Sequence, residues 1–243
     1  MLKASRRKAY PRGEAAERVG HDSPMRLDHV SYAVSHNELA DTVQRLGQQL
    51  GGTFEDGGRH PRFGTQNFIL PIEGGVYLEV VAALDHPASD KAPFGQAVKR
   101  RAEAGGGWLG WVVAVDDIAP VEERIGRPAV DGHRVRPDGV DLTWKQLGVV
   151  DLLDDASLPF FIQWTCPADQ HPSQAHPASI SAVAVEYSGD RDRLREWLGG
   201  ATIASGSLEV PFSGADITWV EDEEPGVVAI TFRNAKGDLV RID

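Results

Sequence analysis

Cysteine is nearly absent: Cys166 is the single one in 243 residues. No internal disulfide is available, which excludes the staple of small secreted domains and leads us to expect a reducing, cytoplasmic setting. No apolar run approaches the roughly 20 residues of a membrane span, so no membrane partner is expected. Positive charge is also scarce, with Lys+Arg 25 against Asp+Glu 36, a net charge of −11 and a pI ≈ 5.2. A surface of that sign repels phosphates, which argues against nucleic acid and leaves small molecules or proteins as partners. A phosphate-cradling glycine loop is missing as well. Gly105-Gly106-Gly107 leads into a strand rather than a helix, so no nucleotide cofactor is expected.

What remains is the composition of an ordinary globular protein, 41% apolar and 25% charged. Its charge is unevenly placed. Before Met25 stand Lys3, Arg6, Arg7, Lys8, Arg12 and Arg18 against Glu14, Glu17 and Asp22, so the acidic surplus belongs to the rest of the chain. Residues 1–24 lack the apolar run of a signal peptide and read as a disordered basic leader.

A weak repeat organises the remainder. LDHVSYAV (Leu27–Val34) alternates as a strand; Ser35 to Glu38 then reads as a capping box, and Leu39, Val43, Leu46 and Leu50 follow at helical spacing before Gly51-Gly52. Leu109–Val115 opens a second copy with a helical run from Ile118 to Ile125, and Ile180–Val185 opens a third with Leu194, Trp197 and Leu198 as its stripe. Extended segments follow each helix: Thr53–Asp56, Thr65–Ile72 and Val76–Ala82, then Arg134–Arg136, Val140–Leu147 and Pro159–Thr165. The third copy, the most degraded, offers Ser207–Pro211, Asp216–Val220, Val227–Phe232 and Leu239–Ile242.

Each unit therefore reads βαβββ, and the fold class is α+β. Units at 27–84 and 107–166 make one paired domain over 25–166, a linker occupies 167–178, and a partial third unit fills 179–243. Pro87 to Gly107 reads as a connection in which Gln96–Glu103 adds a short helix. A lone unit leaves one sheet face bare; two units side by side enclose a concave cleft with their helices outside.

Period-two alternation decides what faces that cleft. Val30, Tyr32 and Val34 form the apolar face of the first strand, leaving His29, Ser31 and Ala33 opposite. Val76, Leu78 and Val80 leave Tyr77 and Glu79 opposite. In the second unit Gln163 takes the place of Glu79, and Gly110 that of His29. One imidazole, one carboxylate and one amide oxygen make a partial shell for a divalent metal; a hydrogen-bonded structural histidine is the alternative.

These residues resemble the vicinal oxygen chelate superfamily, which includes glyoxalase I, extradiol dioxygenases and bleomycin resistance proteins. The segments GGRHPRFGTQNFIL, YLEVV, RPDGVDLTW and LPFFIQW look like the bacterial glyoxalase-like domain family over about Leu27 to Trp164. The resemblance implies His29, Glu79 and Gln163 as ligands of a divalent ion (Zn, Ni, Mn, Mg or Fe), with the fourth position on Gly110, which has no side chain to offer. It implies a lyase or isomerase acting on vicinal oxygens with Glu79 as catalytic base, or a metal-free sequestering protein like the drug-resistance members. A dioxygenase would want a second histidine, which is missing. The third unit lacks the ligand pattern, having Arg241 where a carboxylate would be wanted, and is left to cover, extend or dimerise.

His60, Arg62, Thr65 and Asn67 form a polar segment suited to a substrate carboxylate or carbonyl, with Arg62 as a charged fork, or to stapling the cleft mouth. Trp144 reads as a pocket wall or as core. His171 and His176 lie in a Pro-rich connector without the spacing of a zinc motif.

Overall fold

The computed structural model describes residues 25–200 and 215–243; the basic leader and the expected strand Ser207–Pro211 lie outside them. Its first unit runs β1 (Arg26–Val34), α1 (Leu39–Leu50), β2 (Glu55–His60), β3 (Thr65–Ile72) and β4 (Val76–Ala83). After α2 (Pro87–Lys91) and α3 (Pro93–Glu103) come β5 (Gly107–Ala114), α4 (Ala119–Ile125), β6 (Val130–Val135), β7 (Asp141–Leu147), α5 (Val149–Asp154) and β8 (Phe160–Trp164). The third unit holds β9 (Ser181–Ser188), α6 (Arg191–Trp197), β10 (Asp216–Trp219), β11 (Gly226–Arg233) and β12 (Leu239–Ile242).

The helix α1 forms where the sequence places it. Leu39, Leu46 and Leu50 fall on one face and are buried, each contributing about 1.5–3 kcal/mol. Gly51 ends the helix in the left-handed region at φ 69°, returning its N–H to the Gly47 carbonyl. At the front end the Ser35 hydroxyl donates to the Glu38 carboxylate at 2.6 Å rather than accepting from backbone.

The first two units close into one barrel of order β1-β4-β3-β2-β6-β7-β8-β5. In each half the first strand pairs in parallel with the last, β1 with β4 and β5 with β8. The halves meet along two unequal antiparallel seams. β1 and β5 pair from Arg26 to Ala33, whereas β2 and β6 share the single pair Arg59 and Val135.

Among the described residues the third unit keeps the βαβββ order along the chain, yet its sheet order is β10-β9-β11-β12, so its first strand lies beside β10 and β11 and not beside its last. That sheet covers the outer face of the barrel. Trp108 packs edge-on to Tyr32 at 5.2 Å and donates its indole N–H to the Ile242 carbonyl at 3.1 Å; Trp111 donates to the Tyr187 hydroxyl at 3.1 Å. Leu46, Leu78, Trp111, Phe161, Tyr187 and Phe232 thereby belong to one continuous outer core.

A second core lies inside the barrel, and here the connection after β4 has more structure than its composition foretells. Both α2 and α3 begin with proline in the first turn, where no N–H is missed. The buried face of α3, with Phe94, Ala97 and Val98, packs with Ala33, Val81 and Leu109 from the strands and Leu152 of α5. The cleft is consequently roofed over, and its polar residues are enclosed.

Candidate functional site

Alternation holds along β4: Val76, Leu78 and Val80 join the outer core, while Tyr77 and Glu79 line an interior cavity. On β1 it holds for His29, which lines the same cavity, but a bulge interrupts it. The register with β5 jumps between Leu27 and His29, and the extra residue, Asp28, is turned inward with its neighbour. Two consecutive residues thus serve one site.

Glu79 is 4% exposed and both its oxygens accept hydrogen bonds: Oε2 from the Ser31 hydroxyl at 2.6 Å and Oε1 from the Asn67 amide at 2.5 Å. The other end of that amide accepts from the Arg134 guanidinium at 2.8 Å, and the same Arg134 nitrogen donates to the Gly57 carbonyl at 2.6 Å. A buried cation is thus linked to a buried anion through one side-chain amide.

Beside Glu79 stands His29, its Nε2 3.9 Å from Oε2. Its Nδ1 lies 2.7 Å from Asp28, whose other oxygen takes the Trp164 indole N–H at 2.9 Å and His171 Nε2 at 3.1 Å. Burial works against the charge of Asp28, but hydrogen bonds from His171 and His29 outweigh it and hold the carboxyl well below the usual range. An ionised carboxylate only accepts, so Nδ1 of His29 carries the proton and Nε2 is presented to the cavity. Tyr77 stacks on the His29 ring at 4.5 Å; burial, then the charges of Asp28 and Glu79, push its hydroxyl upward and keep it neutral.

The rest of the wall is aromatic or neutral. His60 hydrogen-bonds Thr65 at 3.0 Å, and burial first, then Arg134 and His29, push its imidazole well below the ordinary value. Trp144 donates to Gln146 at 2.8 Å, and Phe160, Ile162 and Trp164 project inward from β8. The cavity is small, about 40 Å3.

Of the expected site residues, His29, Glu79, His60, Asn67 and Trp144 come together here, and Thr65 contributes through His60. Gln163 does not. Phe161 packs outward against Trp197 at 6.0 Å, so alternation turns Gln163 outward with it, where it accepts from the Ile118 N–H at 3.2 Å and donates to the Asp116 carbonyl at 3.0 Å. Arg62 is exposed and donates to the Asp131 carbonyl at 3.1 Å; the cation of the site is Arg134. Asp28, Ser31, Arg134 and His171 escape the sequence reading. The inward turn of Asp28 depends on the bulge, and His171 is brought in by the connector after β8, whereas Ser31 was already on the right face.

The strand register also fixes what the second unit contributes. Ser31 pairs with Glu79 in the first half, and Val112 pairs with Phe160 in the second. The positions matching His29, Ser31 and Glu79 are therefore Gly110, Val112 and Phe160, none of which offers a side-chain donor atom. Among the described residues no group of three His, Cys, Asp or Glu side chains is placed to hold a metal ion. His29 and Glu79 alone are too few for a closed protein site, and the outward turn of Gln163 removes the third member of the implied set. The residues present do not fit a conventional divalent centre of this superfamily.

Two βαβββ units in one curled sheet, with an imidazole and a carboxylate on the first and last strands of the leading unit, define a vicinal oxygen chelate fold. Residues 27–202 match the glyoxalase-like domain, and the chain belongs to that family. The match runs past Trp164 through β9 and α6. A hypothetical protein from Staphylococcus aureus, 14% identical, aligns over 90% of this chain and 99% of its own with a TM-score of 0.65, so the fold recurs there. Methylmalonyl-CoA epimerase from Mycobacterium tuberculosis, 15% identical, aligns over 58% of this chain and 88% of its own with a TM-score of 0.39. The Streptomyces coelicolor methylmalonyl-CoA epimerase in complex with 2-nitronate-propionyl-CoA, 18% identical, aligns over 57% and 95% at 0.38. No curated protein matches the chain.

Proposed function

We propose that the protein binds a small molecule through a compact hydrogen-bond-donating head group seated at Glu79 and His29, without a resident metal ion, in the manner of a sequestering protein. One observation carries this reading: both Glu79 oxygens are already engaged by Ser31 and Asn67, and the facing half of the barrel supplies Gly110, Val112 and Phe160 in place of ligands. A carboxylate and an imidazole Nε2 are acceptors for a neutral head such as an amide or alcohol. Asp28 and Glu79 together disfavour an anion.

The metal-dependent lyase or isomerase reading retains one specific support. A histidine fixed through Nδ1 by a carboxylate, with Nε2 turned to the cavity, is oriented as metal-ligating histidines are. Metal analysis of the purified wild type, His29→Ala and Glu79→Ala separates the two. Equal, negligible metal in all three supports the proposal, and stoichiometric metal lost in both variants overturns it. For binding itself, acetamide is titrated against tryptophan fluorescence, since Trp144 and Trp164 line the cavity. Glu79→Gln removes a charged acceptor and weakens acetamide by roughly 10- to 100-fold; an unchanged affinity places the head group elsewhere.

A further inference from the structure

The interior cavity has room for no more than a compact head group. It measures about 40 Å3, whereas small-molecule pockets run from roughly 300 to 1,000 Å3. Next to it lies an apolar groove of about 280 Å3, walled by Pro93, Pro128, Val130, Leu147 and Val150. Val130 is 58% exposed and Val150 47%, so the groove opens to solvent. Its charged neighbour Arg127 is paired with Asp151, leaving the floor without a free charge to neutralise.

Phe63, Phe94 and Gln146 line both spaces. They form a partition made of side chains. Phe63 and Phe94 meet edge-on at 6.0 Å, and Gln146 is held by the Trp144 indole. The backbones carrying the two rings are pressed together: a Cβ on Gly95 would lie 2.3 Å from the Phe63 carbonyl oxygen. Passage between the two spaces therefore calls for side-chain rotation and not for separating α3 from the β2–β3 turn.

We infer that groove and cavity are two compartments of one ligand site and that its ligand is elongated, with a compact hydrogen-bonding head at Glu79 and an apolar chain or ring in the groove. This rests on the binding reading above and goes beyond it by naming the class of ligand and the place of its second half. The first unit supplies the polar end. The second unit, through β6, β7 and α5, supplies most of the apolar one.

The test is a titration of the full chain with straight-chain primary amides of two to ten carbons. Affinity is expected to rise about fourfold per methylene while the groove fills, then level off. Val130→Asp and Val150→Asp, both at exposed positions, flatten that rise and leave acetamide unchanged. A flat response to chain length in the wild type, with acetamide still bound, overturns the two-compartment site and spares the head-group reading. A rise that survives both aspartates overturns it too. Absence of binding at every length overturns the head-group reading itself.

Discussion

Replacing His60 by glutamine removes one buried imidazole, and its effect on acid stability follows from the structure. His60 is 5% exposed, hydrogen-bonded to Thr65, and kept neutral first by burial and then by the charge of Arg134. In the unfolded chain it titrates near its ordinary value of about 6.5. Below that pH the unfolded state takes up a proton that the folded state refuses, so stability is fully present above about 6.5 and is lost as pH falls toward the depressed folded value. The limiting slope is about 1.4 kcal/mol per pH unit, which gives about 2 kcal/mol between pH 7.5 and 5.0 while the folded ring stays neutral. For a chain of this size that corresponds to roughly 4–8 °C in Tm. Urea unfolding of wild type and His60→Gln between pH 7.5 and 5.0 reads the difference directly, because the other titrating groups are common to both. The wild type should lose about 2 kcal/mol more than the variant. Parallel curves would refute the claim that this ring is held neutral.

Asp28→Asn removes the carboxylate that fixes the His29 tautomer; 15N shifts of the ring should move the proton from Nδ1 toward Nε2, and an unchanged tautomer means that Asp28 does not set it. Gln163→Ala costs about 1 kcal/mol in denaturant unfolding through its lost bonds to Ile118 and Asp116 and leaves amide binding untouched; a weakened titration returns Gln163 to the site. Phe232→Ala, fully buried where the third unit's sheet meets Trp108, costs about 3–5 kcal/mol by the same measurement, and a loss under 1 kcal/mol means that the sheet is not part of the barrel's core.

The architecture was written in periodicities that survive without context. The alternation in Leu27–Val34 and Val76–Ala82 and the leucine stripe of α1 each state a face, and the faces found are those expected. The site was readable only where alternation runs unbroken. His29 and Glu79 lie on such stretches. Asp28 does not, because a bulge is a property of two paired strands, and the pairing of β1 with β5 joins residues about 80 positions apart. Gln163 illustrates the opposite failure. Phe160, Ile162 and Trp164 are as apolar as Phe161, so the local pattern leaves the face open, and the choice is made by Trp197 from the third unit. Arg134 lay in an expected strand, but its partners Gly57 and Asn67 belong to the other half of the barrel.

The division of the pocket between the two units bears on how such a protein changes over time. Asp28, His29, His60, Glu79 and His171, from the first unit and the connector after β8, are each hydrogen-bonded to a neighbouring side chain, so a substitution among them strands a partner. The facing wall of Phe160 and Ile162 holds no such obligations. Swaps among apolar side chains there reshape the chamber at the modest cost of repacking, usually under about 1.5 kcal/mol when volume is kept. A duplicated gene arranged in this way can keep one half constant as an anchor and let the other drift, acquiring new ligands by changes that never disturb an ion pair.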